Sequence, residues 1–253
     1  MRIFAISDIH VDYETNARWL ADLSASDYRE DVLILAGDIS DSLERVEWAL
    51  GVLTARFRRV MFVPGNHDLW VIRDPKHYTS LDKFERLRAV VEQSGASMQP
   101  QALGRVLIVP LLGWYDYSFG PPTDELLEVW MDFHACRWPA DFEMRDVAAH
   151  FEALGEVPPP SHEGLLISFS HFLPRIDLMP SYIPRARRLI YPVLGSSRLE
   201  ERLRAIRSRI HVYGHSHVNR QIDIDDVTYI NNAFGYPDET RISAKELLCI
   251  HST

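Results

Sequence analysis

The stretch Val63-Pro64-Gly65-Asn66-His67-Asp68 constrains this chain more than any other. The apolar run Val60-Met61-Phe62-Val63 reads as a short buried strand. Pro64-Gly65 ends it abruptly. Asn66, His67 and Asp68 therefore stand at a strand end, where open α/β sheets place their ligands. Four further apolar runs end in the same manner. Ile3–Ile6 leads into Asp8-Ile9-His10, Val32–Ala36 into Gly37-Asp38, Leu165–Phe169 into Ser170-His171, and Ile210–Tyr213 into Gly214-His215-Ser216-His217. Five such loops can converge on one rim only if their strands lie side by side.

Helical patterns separate the strands. Trp19, Leu20 and Leu23 mark one near 15–25; Leu43, Val46, Leu50, Leu53 and Phe57 give the next an apolar stripe. A third runs from about Leu81 (Phe84, Leu87, Val90, Val91) to near Gly95, and another carries Leu199, Leu203 and Ile206. Asp41-Ser42-Leu43-Glu44 and Ser197-Arg198-Leu199-Glu200 fit capping boxes. The alternation predicts an α/β chain with a mainly parallel sheet. Val106–Val109 adds a strand, and Ile222–Ile224, Val227–Ile230 and Leu247–Ile250 close the chain, antiparallel by their short connections.

The texture changes between Gly113 and Pro160. Trp114, Tyr115, Tyr117, Phe119, Trp130, Phe133, Trp138, Phe142 and Phe151 crowd this segment, with Pro121-Pro122 and Pro158-Pro159-Pro160 as punctuation. Short helices are expected at 124–132 and 143–154. The segment reads as an insertion, at about 113–160, in a single domain spanning 1–253. Most of its aromatics suit a packed cluster. Trp114, Tyr115 and Tyr117 follow a strand end and are candidates for facing the site.

The net charge of −9 argues against nucleic-acid or anionic-membrane binding. It leaves a small anionic substrate open, because bound cations reverse the local field. Cys136 and Cys249 form no CxxC pair, no signal-peptide pattern opens the sequence, and no stretch approaches a membrane span, so a soluble cytoplasmic protein is expected. Arg185, Arg187 and Arg188 read as a solvated loop, and Asn231-Asn232 as turn chemistry. His134-x-Cys136 lacks the second pair a zinc site needs. His77, His134, His150, His162, His211 and His251 have no motif context and read as structural.

Carboxylates gathered at one rim repel and raise each other's pKa unless a cation sits among them. Imidazole and carboxylate donors without thiolate suit Mn, Fe or Zn, and their number exceeds one tetrahedral site, so two ions are expected. In order, D-x-H (Asp8, His10), G-D (Asp38), G-N-H-D (Asn66, His67, Asp68), H (His171) and G-H-x-H (His215, His217) resemble the calcineurin-like metallophosphoesterases at every motif position. The resemblance implies a four-layer α/β/β/α sandwich of two mixed sheets flanked by helices. It also implies two divalent or mixed-valence transition-metal ions, one held by Asp8, His10 and His217 and one by Asn66, His171 and His215, with Asp38 bridging. His67 would assist the leaving group, and Asp68 would orient its ring. The implied reaction is hydrolysis of a small phosphomonoester or phosphodiester, nucleotides included, by direct attack of a metal-bridging hydroxide. A nuclease of the same superfamily and a non-catalytic metal-binding scaffold are the alternatives; net acidity opposes the first, and the intact motif set the second.

Overall fold

The computed structural model describes residues 1–155 and 163–252; Pro158-Pro159-Pro160 and His162 lie outside that range. Two mixed sheets form the centre. The first has the order β10-β1-β2-β3, built from β1 (Arg2–Ile6), β2 (Val32–Ala36), β3 (Arg59–Val63) and β10 (Leu248–Ser252). The second has the order β4-β5-β6-β7-β9-β8, from β4 (Gln101–Leu103), β5 (Val106–Pro110), β6 (Leu165–Phe169), β7 (Ile210–Tyr213), β8 (Arg220–Ile224) and β9 (Val227–Asn231). Strands β2 and β5 are buried at every residue, as parallel strands covered on both faces are. The sheets meet where β2 approaches β7 and β3 approaches β5.

Helices flank the sheets. On α2 (Leu43–Thr54) the apolar stripe buries Val46, Ala49, Leu50 and Leu53; on α3 (Ser80–Gln93) it buries Phe84, Leu87 and Val91. The first helix, α1 (Glu14–Ala21), packs beside α2. The insertion folds as α4 (Asp124–Val129), α5 (Asp132–Ala135) and α6 (Met144–Leu154), and α7 (Ser197–Ala205) follows. Among the described residues no helix is long and apolar enough to cross a membrane.

Three local expectations are corrected. Asp41 does not cap α2, whose cap residue is Ser42; its carboxylate is taken up by Arg73 at 2.7 Å. Ser196, not Ser197, caps α7, and Glu200 turns to the Tyr229 hydroxyl and Arg204 instead. The closing strands are not all antiparallel. β8 and β9 form a hairpin through Asp225-Asp226, both at positive φ (46° and 67°) as a primed turn requires, but β9 pairs parallel with β7. β10 crosses to the first sheet and pairs antiparallel with β1.

Strand β7 carries His211, fully buried, with Nδ1 2.8 Å from Ser168 Oγ and Nε2 3.1 Å from Ser170 Oγ. Burial pulls its pKa from 6.5 down to about 3. Between those values the unfolded ring binds a proton that the native ring refuses. This contribution to stability is therefore complete above about pH 6.5 and is lost on acidification, at roughly 1.4 kcal/mol per pH unit. Urea unfolding at several pH values from neutral to mildly acidic should give a steeper pH slope for the wild type than for His211→Gln. Equal slopes would show that His211 is not buried as the neutral ring.

Candidate active site

The loops that leave β1, β2 and β3 meet those that leave β6 and β7 at the seam between the sheets. Backbone bonds tie them together: Asp8 N–H to Gly37 O (2.9 Å), His10 N–H to Asp38 O (3.0 Å), and Gly214 N–H to His171 O (2.9 Å). Five of the motif residues sit in the left-handed region: Asp8 (φ 54°), His10 (38°), Asp38 (58°), His215 (67°) and His217 (53°). Such backbone costs on the order of 1–3 kcal/mol per residue and gathers at functional sites. Gly214 is needed for close approach, since a Cβ there would stand 2.7 Å from Asp8 Oδ2 and 2.9 Å from the Ala36 carbonyl.

The side chains form two donor clusters. In one, His171 Nδ1 donates to the Ala36 carbonyl (2.8 Å) and His215 Nε2 to the Val193 carbonyl (3.0 Å). Carbonyls only accept, so these bonds set both tautomers and leave lone pairs on His171 Nε2 and His215 Nδ1, which face each other at 3.1 Å. Asn66 Oδ1 brings a third lone pair to 3.1 Å from His171 Nε2. Burial lowers the pKa of both rings, so neither supplies a proton to separate these acceptors. A cation satisfies all three: two nitrogens bound at ~2.0–2.1 Å in tetrahedral geometry stand on the order of 3.3 Å apart.

In the other cluster His217 Nε2 lies 3.2 Å from Asp8 Oδ1 and 3.2 Å from His10 Nε2. Glu239 takes the opposite N–H of His217 at 2.6 Å. Burial alone would lower the His217 pKa, but the Asp8 and Glu239 carboxylates hold it up at about 10. The local field thus demands positive charge beside Asp8. Asp38 Oδ2 faces both clusters, 3.5 Å from His171 Nε2 and 3.9 Å from His10 Nε2. Burial, then Asp8 and Asp68, push its carboxyl well above the usual range, the condition that nearby cations relieve.

His67 borders these groups. Its Nε2 is 3.9 Å from Asp38 Oδ2 and 3.5 Å from the Tyr236 hydroxyl, and its ring stacks on Trp70 with centroids 3.7 Å apart. With His10 and Asp38 it makes a third close group of metal-type donors, beside Asp8-His10-His217 and Asp38-His171-His215. Among the described residues no hydrogen bond joins Asp68 to the His67 ring, the contact that the resemblance implied. Its carboxylate accepts four backbone N–H groups, from Gly65 (2.8 Å), Asp38 (2.9 Å), Ile39 (2.9 Å) and Ser40 (3.1 Å). It staples two strand-end loops together, while Trp70 and Tyr236 flank the ring.

Nor do Trp114 and Tyr115 face the site; both are buried, packed with Trp138, Phe151 and Phe172. The insertion reaches the centre through Trp130, edge-on to His215, and through Asp132. Asn231 and Asn232 are more than turn residues: buried, their amides join Gly214 to the strand β9 end and Ala5 to Glu246. Glu239, Tyr236 and Asp132 carried no spacing signal that would have marked them. Beyond the clusters opens a cavity of about 390 Å³ lined by His10, Asp12, Tyr13, Asp41, His67, Trp70, Arg73 and Tyr236. A second recess of about 310 Å³, sharing Asp12, continues past Arg45 and Trp48.

The model of the calcineurin-like phosphoesterase family matches residues 1–219. The chain belongs to that family. The phosphoesterase is a hydrolase of phosphate-ester bonds whose histidines and aspartates are positioned for metal binding. It is 28% identical over 266 aligned residues to the [acyl-carrier-protein] phosphodiesterase PptH of Mycobacterium tuberculosis, covering 94% of this chain and 79% of that protein. The crystal structure of phosphopantetheinyl hydrolase PptH from Mycobacterium tuberculosis superposes with a TM-score of 0.82 at 24% identity, over 100% of this chain and 96% of that one. That likeness shows the two-sheet fold. Tyr236 and Glu239 lie beyond the family-matched span.

Proposed function

We propose that the phosphoesterase cleaves a phosphodiester at a two-metal centre, with Asp8, His10 and His217 holding one ion, Asn66, His171 and His215 the other, and Asp38 shared. The observation that carries this reading is the set of three lone pairs, from His171, His215 and Asn66, with His171 Nε2 3.1 Å from each of the other two and no proton among them. Imidazole, carboxylate and amide donors without thiolate suit Mn, Fe or Zn. When bound, such ions supply Lewis acidity and an activated water for in-line displacement.

The chain's own groups do the rest. His67 stands at the pocket wall beside Asp38, where a proton can pass between its Nε2 and a leaving oxygen. Trp70 and Tyr236 keep the ring there. The similarity to an [acyl-carrier-protein] phosphodiesterase points to a phosphopantetheinyl diester on a carrier protein rather than a free small ester. The tandem recesses leave room for such an extended arm. The unpaired Cys136 and Cys249 fit a reducing, cytoplasmic setting, and residues 1–253 would act as one domain with the 113–160 segment as part of its site.

The test is a pair of assays with manganese-loaded enzyme. Bis-p-nitrophenyl phosphate should be cleaved faster than p-nitrophenyl phosphate, and holo acyl carrier protein should lose its phosphopantetheinyl group in intact-mass spectra. A faster monoester reaction together with untouched carrier protein would overturn the substrate assignment.

A further inference from the structure

We propose that Asp132, in the segment outside the metallophosphoesterase motifs, is a positioning residue that sets the direction of Asn66 toward the second metal. The proposal rests on the reading of Asn66 as a metal ligand.

Asp132 opens α5 and is 2% exposed. Its Oδ1 accepts N–H from Asn66 Nδ2 (2.8 Å) and Trp70 Nε1 (2.7 Å), and its Oδ2 accepts from Trp130 Nε1 (2.8 Å). Each of these three donors touches the centre on its other side. Asn66 Oδ1 lies 3.1 Å from His171 Nε2, Trp70 stacks on His67, and Trp130 meets the edge of His215.

An ionised carboxylate can only accept. A flipped Asn66 amide would set its oxygen against Asp132 and point N–H groups at His171 and His215, so the carboxylate admits one orientation alone. A neutral side chain at position 132 would not discriminate so strictly. The segment is itself held on the loop it serves: Val71 N–H bonds the Ala135 carbonyl at 2.8 Å, and Ser80 N–H the Arg137 carbonyl at 2.7 Å. The insertion thus contributes a rigid strut behind three of the site's side chains.

Zinc affinities of the chelator-stripped full chain, measured by competition with a chromophoric chelator, test the proposal. Asp132→Ala should weaken one of two zinc sites by about 10–100-fold and leave the other unchanged. Asp132→Asn keeps one acceptor oxygen and should weaken the same site less. Folded variants in which both sites are unaffected, or weakened equally, would overturn it; if Asp132→Ala does not fold, Asp132→Asn decides by the same criterion. Asn66→Ala separates the two layers. If it leaves both zinc affinities intact, the ligand reading of Asn66 fails; if it weakens one site while the Asp132 variants do not, only the positioning role fails.

Discussion

His67→Ala should lower turnover by about 10²–10⁴-fold while both metals stay bound. The ring is placed for proton transfer, at the pocket wall with Nε2 3.9 Å from Asp38 Oδ2 and 3.5 Å from the Tyr236 hydroxyl. Burial, then the neighbouring His10, pulls its pKa well below 6.5, which favours the neutral imidazole. A neutral ring still has one N–H to give and one lone pair to take. Because His67 also lies within donor distance of His10 and Asp38, metal content separates the two roles it could have. Slow turnover with two ions per chain assigns it to the leaving group; loss of an ion assigns it to coordination. Turnover equal to wild type would remove it from the mechanism.

Asp68→Ala should be the most destabilising single change at the site. It strips the acceptor from four backbone N–H groups in two loops, at Gly65, Asp38, Ile39 and Ser40. Each buried donor left without a partner costs ~1–3 kcal/mol, and water entering the void recovers part of that. A loss of roughly 3–5 kcal/mol is expected, a large share of the ~5–15 kcal/mol that holds a typical protein folded. Asp68→Asn retains one acceptor oxygen and should lose less. Urea midpoints of the metal-free proteins measure both. The alanine variant should also lose metal, because the Gly37-Asp38 loop that Asp68 braces carries the proposed shared ligand on a left-handed backbone. A variant within about 1 kcal/mol of wild type would show that the staple contributes little.

The strand ends were readable in the sequence because each pairs an apolar run with a glycine or a polar tip, and the physics of both is local. Periodicity identifies a strand but not its neighbour. The division into two sheets therefore came only through the family resemblance, and neither β10 crossing to β1 nor β9 running parallel to β7 could be read from connection length. Asp41 shows a related limit: its capping pattern was sound, but Arg73, distant in sequence, competes for the carboxylate. Asp68 accepts four backbone N–H groups, and a backbone-accepting role leaves no mark in residue spacing. Asp132 and Glu239 each hydrogen-bond a candidate ligand, and single acidic residues in loops or short helices look alike until the fold brings them together.

Equilibrium dialysis of the chelator-stripped chain against manganese or zinc, followed by elemental analysis, tests the dinuclear centre most directly. Two equivalents per chain are expected, falling to one when His171 or His215 is replaced by alanine. A wild-type chain that binds one equivalent or none would contradict it.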